Sequence, residues 1–320
     1  GSAYQPRNLS NPWIVDERMA MVEGAADELR QELGRDFELS VVAVADHPYN
    51  DNDWATELRG KVKHAMSRQG QSPGKSRVAL LGHDKDSSSY YLDRFPEWEA
   101  LKVGAYPDEE SVVNATQFRD LLMNGHSGIA LQALPAATVT VVKQLMATQE
   151  WSELREWYAQ NEDYKRQWGN TPFPSQFMTT DAVVVQAGHV LLVRRGHNPG
   201  RGLWALPGGF VDASEWTLDA CLRELDEETG IKLKSTQLKP LIKDSFLFDA
   251  PKRSARGRTY SQAYYFRLSD DMPMPKIKRF PDGDEIGEVK WVPLDEFNRM
   301  RPYLFEDHFD IVTHFVNRHR

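Results

Sequence analysis

The stretch GGFVDASEWTLDACLRELDEETGI, residues 208–231, constrains this chain more than any other part of the sequence. Within it, Leu218, Leu222 and Leu225 recur at intervals of four and three residues, the spacing that gives a helix one apolar face. Gly230 follows, and glycine commonly ends helices because it adopts the left-handed conformation without strain. The pattern therefore predicts an amphipathic helix that buries its leucines and ends at Gly230.

The same helix carries Glu224, Glu227 and Glu228, spaced i, i+3 and i+4 so that their carboxylates share one face. Bare carboxylates placed so closely repel one another and raise the pKa of at least one of them. A hard divalent cation removes that conflict, so we expect a Mg²⁺ site here, with Mn²⁺ as the alternative ion. Arg223 can pair with Glu215 or Glu227 and hold the acidic face in place. The alternative is a solvated acidic face, which explains neither Glu215 nor the preceding glycines.

This spacing resembles the Nudix box of pyrophosphohydrolases, Gly-x5-Glu-x7-Arg-Glu-U-x-Glu-Glu-x-Gly-U, where U is aliphatic. Every fixed position from Gly209 to Ile231 is filled. The resemblance implies metal ligands at Glu224, Glu227, Glu228 and the backbone carbonyl of Gly209, and orienting roles for Glu215 and Arg223. It also implies a general base in the box or in a later loop. In that loop, DGDEIGE at 282–288, Glu285 is our candidate beside Asp284 and Glu288.

Two further segments of the second half resemble the substrate side of ADP-ribose pyrophosphatases. They are RRGHNPGRGLWALPGGF at 194–210 and FLFDAPKRSARGRTYSQAYYF at 246–266. From these segments we take Arg195, Arg256 and Arg258 as substrate-binding residues, because guanidinium groups bind a diphosphate bidentately. Phe177 and Phe248 are candidates for stacking on adenine. A solvated basic hairpin and ordinary core aromatics are the alternatives for these residues.

The first half alternates strand-like and helix-like segments, which favours an α/β doubly wound domain. We predict strands at 39–45, 77–82 and 99–105, and helices at 53–68, from 114 and within 135–168. The two prolines of TPFPSQF (171–177) mark the domain boundary.

For the second half we predict a hairpin that turns at Ala187-Gly188, followed by the box helix. We also predict strands near 238–249, 259–268 and 289–292, and a terminal helix from about Leu294. We therefore expect a domain at 1–168 and an α+β Nudix domain at 169–320.

The first half resembles the nicotinamide mononucleotide adenylyltransferase (NMNAT) part of bifunctional NMNAT/Nudix proteins. The resemblance rests on QPRNLSNPWIVDER (5–18), DHPYNDNDW (46–54) and NATQFR (114–119), and it covers nearly the whole chain together with the box. It implies a phosphate site at Asn114, Thr116 and Arg119 on a helix start, and a nicotinamide-stacking role for Trp54. NMN, ATP and NAD are the implied ligands. A helix N-cap with its first turn, and a core tryptophan, are the alternatives.

The sequence departs from that family at one motif. Adenylyl transfer in the family uses a His-x-Gly-His loop after the first strand, and this sequence contains no such motif. Leu80 occupies the first histidine position before Gly82-His83. We therefore expect a Rossmann-like domain that lacks its first βα unit, and poor adenylyl transfer.

Composition narrows the class of protein further. Hydrophobic residues make up 40% of 320 residues, which is ample for about two domains. The formal charge of −8 argues against an extended nucleic-acid surface. The single cysteine fits a reducing cytoplasm, and no apolar run has transmembrane length or the pattern of a signal peptide. The composition is compatible with a homo-oligomer as well as with a monomer.

These observations lead to one expected function and two alternatives. We expect a Mg²⁺-dependent hydrolase that cleaves ADP-ribose to AMP and ribose 5-phosphate in NAD metabolism. The second class is a transferase that makes NAD from NMN and ATP. The third is an ADP-ribose-sensing module, a type in which we expect eroded glutamates and a basic DNA-binding surface.

Overall fold

The computed structural model describes residues 3–71, 76–83, 94–103, 115–132, 134–169, 171–232, 241–271, 273–277 and 286–319. The chain divides into two compact units. The first contains Trp13–Trp151, and the second contains Ser152–Arg320 together with Tyr4–Pro12. Among the helices described, none combines the length and the apolar content that crossing a membrane requires.

The first unit is a mixed α/β structure. Its strands β1 (Ala79–His83) and β2 (Glu99–Val103) pair in parallel. Its helices are α1 (Val15–Leu33), α2 (Asp51–Arg68), α3 (Ala115–Met123), α4 (Ser127–Gln132) and α5 (Ala136–Met146); α6 (Gln149–Trp168) runs mostly through the second unit. The predicted helices and two of the three predicted strands are confirmed in type and place.

The strand predicted at 39–45 is wrong, although every residue in it except Ser40 is apolar. Leu39 and Val42 are exposed, and the segment has no regular secondary structure. The carbonyl of Val44 accepts from the Ala3 amide at 3.4 Å, and the Ala45 amide donates to the Glu57 carboxylate at 3.2 Å. A strand needs a ladder of backbone partners. Here the Val44 carbonyl and the Ala45 amide bind partners that are not in a strand. Apolar composition alone therefore did not suffice to predict a strand.

The second unit is built around a seven-stranded sheet with the order β5-β4-β3-β8-β7, in which β6 also pairs with β3 and β9 with β4. The strands are β3 (Gln176–Gln186), β4 (His189–Arg195), β5 (Trp204–Ala205), β6 (Gly208–Phe210), β7 (Ile242–Phe248), β8 (Arg258–Arg267) and β9 (Ile286–Pro293). Strands β3 and β8 run parallel over ten residue pairs. The turn between β3 and β4 falls at Ala187-Gly188 as predicted, and both residues have positive φ (45° and 72°), as a tight hairpin requires.

The box helix is α7, Thr217–Thr229. It buries Cys221 and Leu225 completely against the sheet, with Leu218 and Leu222 at the edge of the same core. Gly230 ends it at φ 76°, and the Gly230 amide donates to the carbonyl of Asp226 at 2.7 Å. This placement presents the acidic face of α7 to solvent and to β6.

The single terminal helix predicted from about Leu294 is also wrong in detail. The segment forms a short helix α8 (Leu294–Phe297), a 3-10 turn (Arg301–Tyr303) and then α9 (His308–Arg318). Pro302 lies inside the interruption, where it removes a backbone donor that a continuous helix would need. Helix α9 buries Ile311, Val312 and Phe315 in the core.

Candidate active site

The box residues line one cavity of the second unit, with a volume of about 370 Å³. Strand β6 contributes one wall because it pairs with β3 beside the acidic face of α7. The lining on the box side comes from Gly208, Gly209, Arg223, Glu224, Glu227 and Glu228. The rest of the lining includes Asp181, Arg195, Phe210, Arg253, Arg256 and His308.

Arg223 lies at the centre of the acidic cluster. Its Nε and Nη2 donate to the two carboxylate oxygens of Glu215 at 3.1 and 2.7 Å. Its Nη1 donates to Glu224 at 2.8 Å and to Glu227 at 3.0 Å. The bonds to Glu215 raise the pKa of Arg223, and the same bonds hold the pKa of Glu215 below its usual range. Arg223 therefore pairs with both partners that the sequence offered and keeps Glu215 ionised.

Gly208 and the first box residue, Gly209, leave no room for a side chain. A Cβ on Gly209 would lie 2.3 Å from Oε1 of Glu224. A Cβ on Gly208 would lie 2.1 Å from the carbonyl oxygen of Thr180, and the Gly208 amide donates to Glu228 at 2.9 Å. Close backbone approach is thus the reason for glycine here, and it brings two of the glutamates against β6.

The donor set of this wall suits a hard divalent cation. Three carboxylates and the β6 backbone offer only oxygen ligands around one cavity. Across the residues described, no three acidic, imidazole or thiol side chains already converge closely enough to hold an ion. The Arg223 guanidinium engages Glu224 and Glu227. The box residues fit a hard cation by ligand type, and they line one cavity together.

The predicted substrate arginines divide into two groups. Arg195 and Arg256 line the cavity, whereas Arg258 does not. Arg258 instead donates to the carbonyl of Asp249 at 2.6 Å and lies over the ring of Tyr260. In this structure the Arg258 guanidinium holds the β7–β8 hairpin, and its assignment to substrate binding stays a prediction.

Arg253 is a further residue that lines the cavity. Its Nε and Nη2 donate to both carboxylate oxygens of Asp307 at 2.8 and 2.7 Å, and both side chains are buried. Burial disfavours the charge of Arg253, but the Asp307 carboxylate outweighs burial and raises the pKa of Arg253. No local sequence pattern marks this pair, since its partners are 54 residues apart.

A buried histidine and a buried aspartate complete the cavity floor. Nδ1 of His308 accepts from the Leu206 amide at 2.8 Å, so the ring is held with Nδ1 unprotonated. Its Nε2 lies 4.0 Å from Oδ1 of Asp181, whose other oxygen accepts from the Ser261 hydroxyl. Burial lowers the pKa of His308, which keeps the imidazole neutral near pH 7. Sequence reasoning missed both residues because neither belongs to a motif.

The two candidate stacking rings lie in different environments. Phe177 is half-buried, and its ring centroid lies 6.1 Å from that of Phe210, which lines the cavity. Phe248 is fully buried among Phe246, His314 and Phe315. A fully buried ring offers no face to a ligand, so the assignment of Phe248 to substrate binding is corrected to a core role.

Comparison with known proteins decides the family. The NUDIX domain model matches residues 176–315. The bifunctional NMN adenylyltransferase/ADP-ribose pyrophosphatase of Francisella tularensis, solved with AMP and a manganese ion, superposes with a TM-score of 0.84 at 32% identity, covering 99% of this chain and 89% of that one. This chain belongs to that bifunctional Nudix family. It is an enzyme of mixed α/β fold, as the sequence predicted.

Two curated relatives match this family member over shorter stretches. An ADP-ribose pyrophosphatase of Methanocaldococcus jannaschii is 30% identical over 139 residues, 43% of this chain and 72% of the relative. A nicotinamide/nicotinic acid mononucleotide adenylyltransferase of Acinetobacter baylyi is 29% identical over 158 residues, 49% of this chain and 75% of the relative. The two names correspond to the two halves of the family.

The first unit of this family member contains the other predicted substrate-binding residues. Nη2 of Arg119 donates to the Thr116 hydroxyl at 3.2 Å at the start of α3, and burial lowers the pKa of Arg119. Trp54 packs edge-on against Phe95 with 5.6 Å between centroids. Thr116 and Arg119 thus lie together, whereas Asn114 and Glu285 fall outside the described residues.

Proposed function

We propose that this chain hydrolyses the diphosphate of ADP-ribose to AMP and ribose 5-phosphate, with Mg²⁺ held by Glu224, Glu227, Glu228 and the Gly209 carbonyl. The observation that carries the proposal is one cavity lined both by the box carboxylates and by Arg195 and Arg256. A diphosphate suits such a lining, because its oxygens are ligands for a cation and acceptors for guanidinium groups.

The chain's own groups have distinct tasks in this proposal. When bound, Mg²⁺ supplies positive charge to the diphosphate and lowers the pKa of a coordinated water. Arg195 and Arg256 bind the remaining phosphate charge and orient the phosphorus for in-line attack. Arg223 and Glu215 keep the glutamates in place. Glu285 and the box glutamates are the candidates to accept the proton of the attacking water.

The first experiment measures AMP release from ADP-ribose by the purified chain with Mg²⁺, beside NADH, ADP-glucose and 8-oxo-dGTP. We expect ADP-ribose to be the best of the four substrates. Replacing Mg²⁺ by Mn²⁺, and adding a chelator, then tests the metal. Absence of AMP release from ADP-ribose would overturn the choice of substrate.

Glu228→Gln tests the mechanism with a matched control in the same helix. Loss of a ligand carboxylate should lower kcat by about 100-fold or more, since even outer-shell changes around metals cost roughly 10–100-fold. Asp226→Asn is the control, because Asp226 points to Lys232 and does not line the cavity. Equal activity of Glu228→Gln and Asp226→Asn would contradict the proposed metal role.

The complete set of box glutamates also favours a hydrolase over an ADP-ribose-sensing module.

A further inference from the structure

A cluster of four aromatic rings connects helix α6 to the cavity. The ring of Phe177 lies 5.6 Å from those of Tyr164 and Trp168, and 6.1 Å from that of Phe210. The Trp168 and Phe210 rings both meet Phe177 edge-on. These separations are those of favourable aromatic pairs. We name Tyr164, Trp168, Phe177 and Phe210 the aromatic wall.

The wall ends at the cavity in a ring and a guanidinium. Phe210 lines the cavity with 38% of its surface exposed. The Arg256 guanidinium lies 5.0 Å from the centroid of the Phe210 ring and 3.8 Å from the Glu306 carboxylate. A flat aromatic base can stack on such a pair of ring and guanidinium, because both present a planar face.

The wall also holds the loop that carries Arg256. Gly257 has φ 141°, and a Cβ there would lie 3.3 Å from the Phe177 ring. Phe177 therefore packs directly against the backbone next to Arg256. Phe177 thus contacts both Phe210 and the loop that carries Arg256.

Half of the wall lies outside the region that defines the hydrolase family. The NUDIX domain model begins at residue 176, whereas Tyr164 and Trp168 lie on α6 before it. Trp168 is 44% exposed, although it contacts Phe177. An exposed tryptophan at this place is explained if it supports the ring beside the cavity.

We propose that Tyr164 and Trp168 are positioning residues of the hydrolase site. Through Phe177 they hold Phe210 and Arg256 where the purine base of the substrate stacks. This inference rests on the proposed function for the identity of the base. It makes α6 part of the substrate site and assigns discrimination for an aromatic base to this end of the cavity.

The kinetic experiment compares Trp168→Ala with Trp168→Phe in the full chain. Loss of the ring should raise KM for ADP-ribose about two- to tenfold, the range that one aromatic pair contact spans, with kcat within about twofold. Trp168→Phe should keep KM near that of the wild type. Phe246→Ala is the control, because Phe246 is 37% exposed like Phe210 but packs on Phe248 and His314 and does not line the cavity.

The binding experiment separates the base from the phosphate. Calorimetry with Mg²⁺ measures Kd for AMP and for ribose 5-phosphate with the wild type, Trp168→Ala and Phe210→Ala. We expect weaker binding of AMP and unchanged binding of ribose 5-phosphate in both variants. Unchanged Kd for AMP, or an equal loss for both ligands, would overturn the role of the wall. A wild type that binds AMP but does not hydrolyse ADP-ribose would contradict the proposed function. The Kd values for AMP in the two variants would then still decide the role of the aromatic wall.

Discussion

The carboxylate of Glu224 occupies the space into which a side chain at position 209 would extend. At the scale of single residues, the site therefore depends on glycine at position 209 as well as on its glutamates. Gly209→Ala should displace Glu224 and lower kcat for ADP-ribose by roughly tenfold or more, since misplaced catalytic groups cost about 10²-fold in severe cases.

The control for that variant is Gly60→Ala in α2, where nothing lies within 4 Å of the added Cβ. It should leave hydrolysis unchanged. Steady-state kinetics with circular dichroism checks both. Full activity of Gly209→Ala would show that Glu224 does not need its observed place.

His308 predicts how stability depends on pH. A histidine in the unfolded chain protonates near pH 6.5, whereas burial lowers the pKa of His308 in the folded protein. Below about pH 6.5 the unfolded state therefore binds a proton that the folded state does not, and acidification favours unfolding. The stability due to neutral His308 is present above that pH and is lost as the pH falls towards the folded pKa.

We expect His308→Gln to be less stable than the wild type at pH 8 and to lose less stability between pH 8 and pH 5.5. Urea unfolding at both values measures this, with the exposed His64→Gln as control. Parallel losses in the wild type and His308→Gln would mean that other groups carry the pH dependence.

At the scale of elements, the buried Arg253–Asp307 pair ties the β7–β8 hairpin to the start of α9. Asp307→Asn removes the carboxylate and leaves a buried guanidinium without its counter-charge. We expect the free energy of unfolding to fall by about 3–5 kcal/mol. Asp163→Asn, which removes an exposed partner of Arg166 on α6, should change it by less than about 1 kcal/mol. A similar small effect of both changes, measured by urea unfolding, would argue against a structural role for the pair.

At the scale of the whole molecule, the two halves of this sequence differ in how completely they carry the family's motifs. The box is complete, whereas the sequence contains no His-x-Gly-His. We expect NAD formation from NMN and ATP to be much slower than AMP release from ADP-ribose under the same conditions. Glu228→Gln should abolish hydrolysis without changing NAD formation, because Glu228 lines the cavity of the second unit. Rapid NAD synthesis would show that this chain performs adenylyl transfer without that motif.

Local patterns determined the elements that carry the chemistry. The leucine spacing, Gly230 and the three glutamates sufficed for α7 and its acidic face, and Ala187-Gly188 sufficed for the hairpin. These features depend on neighbours within one or two turns, so the periodicity of the chain contains them. The same reasoning failed for 39–45, because a strand exists only where distant backbone groups pair with it.

Tertiary structure decided which side chains meet at the cavity. Phe177 and Phe248 look equivalent in the sequence, yet one lies beside the cavity and the other is buried. Arg253 pairs with Asp307, and Trp168 packs against Phe177, through tertiary contacts that no local pattern marks. The sequence by itself determined the acidic helix and its glycines, whereas packing between distant segments determined the arginines and rings that face it, because burial and pairing are properties of the assembled core.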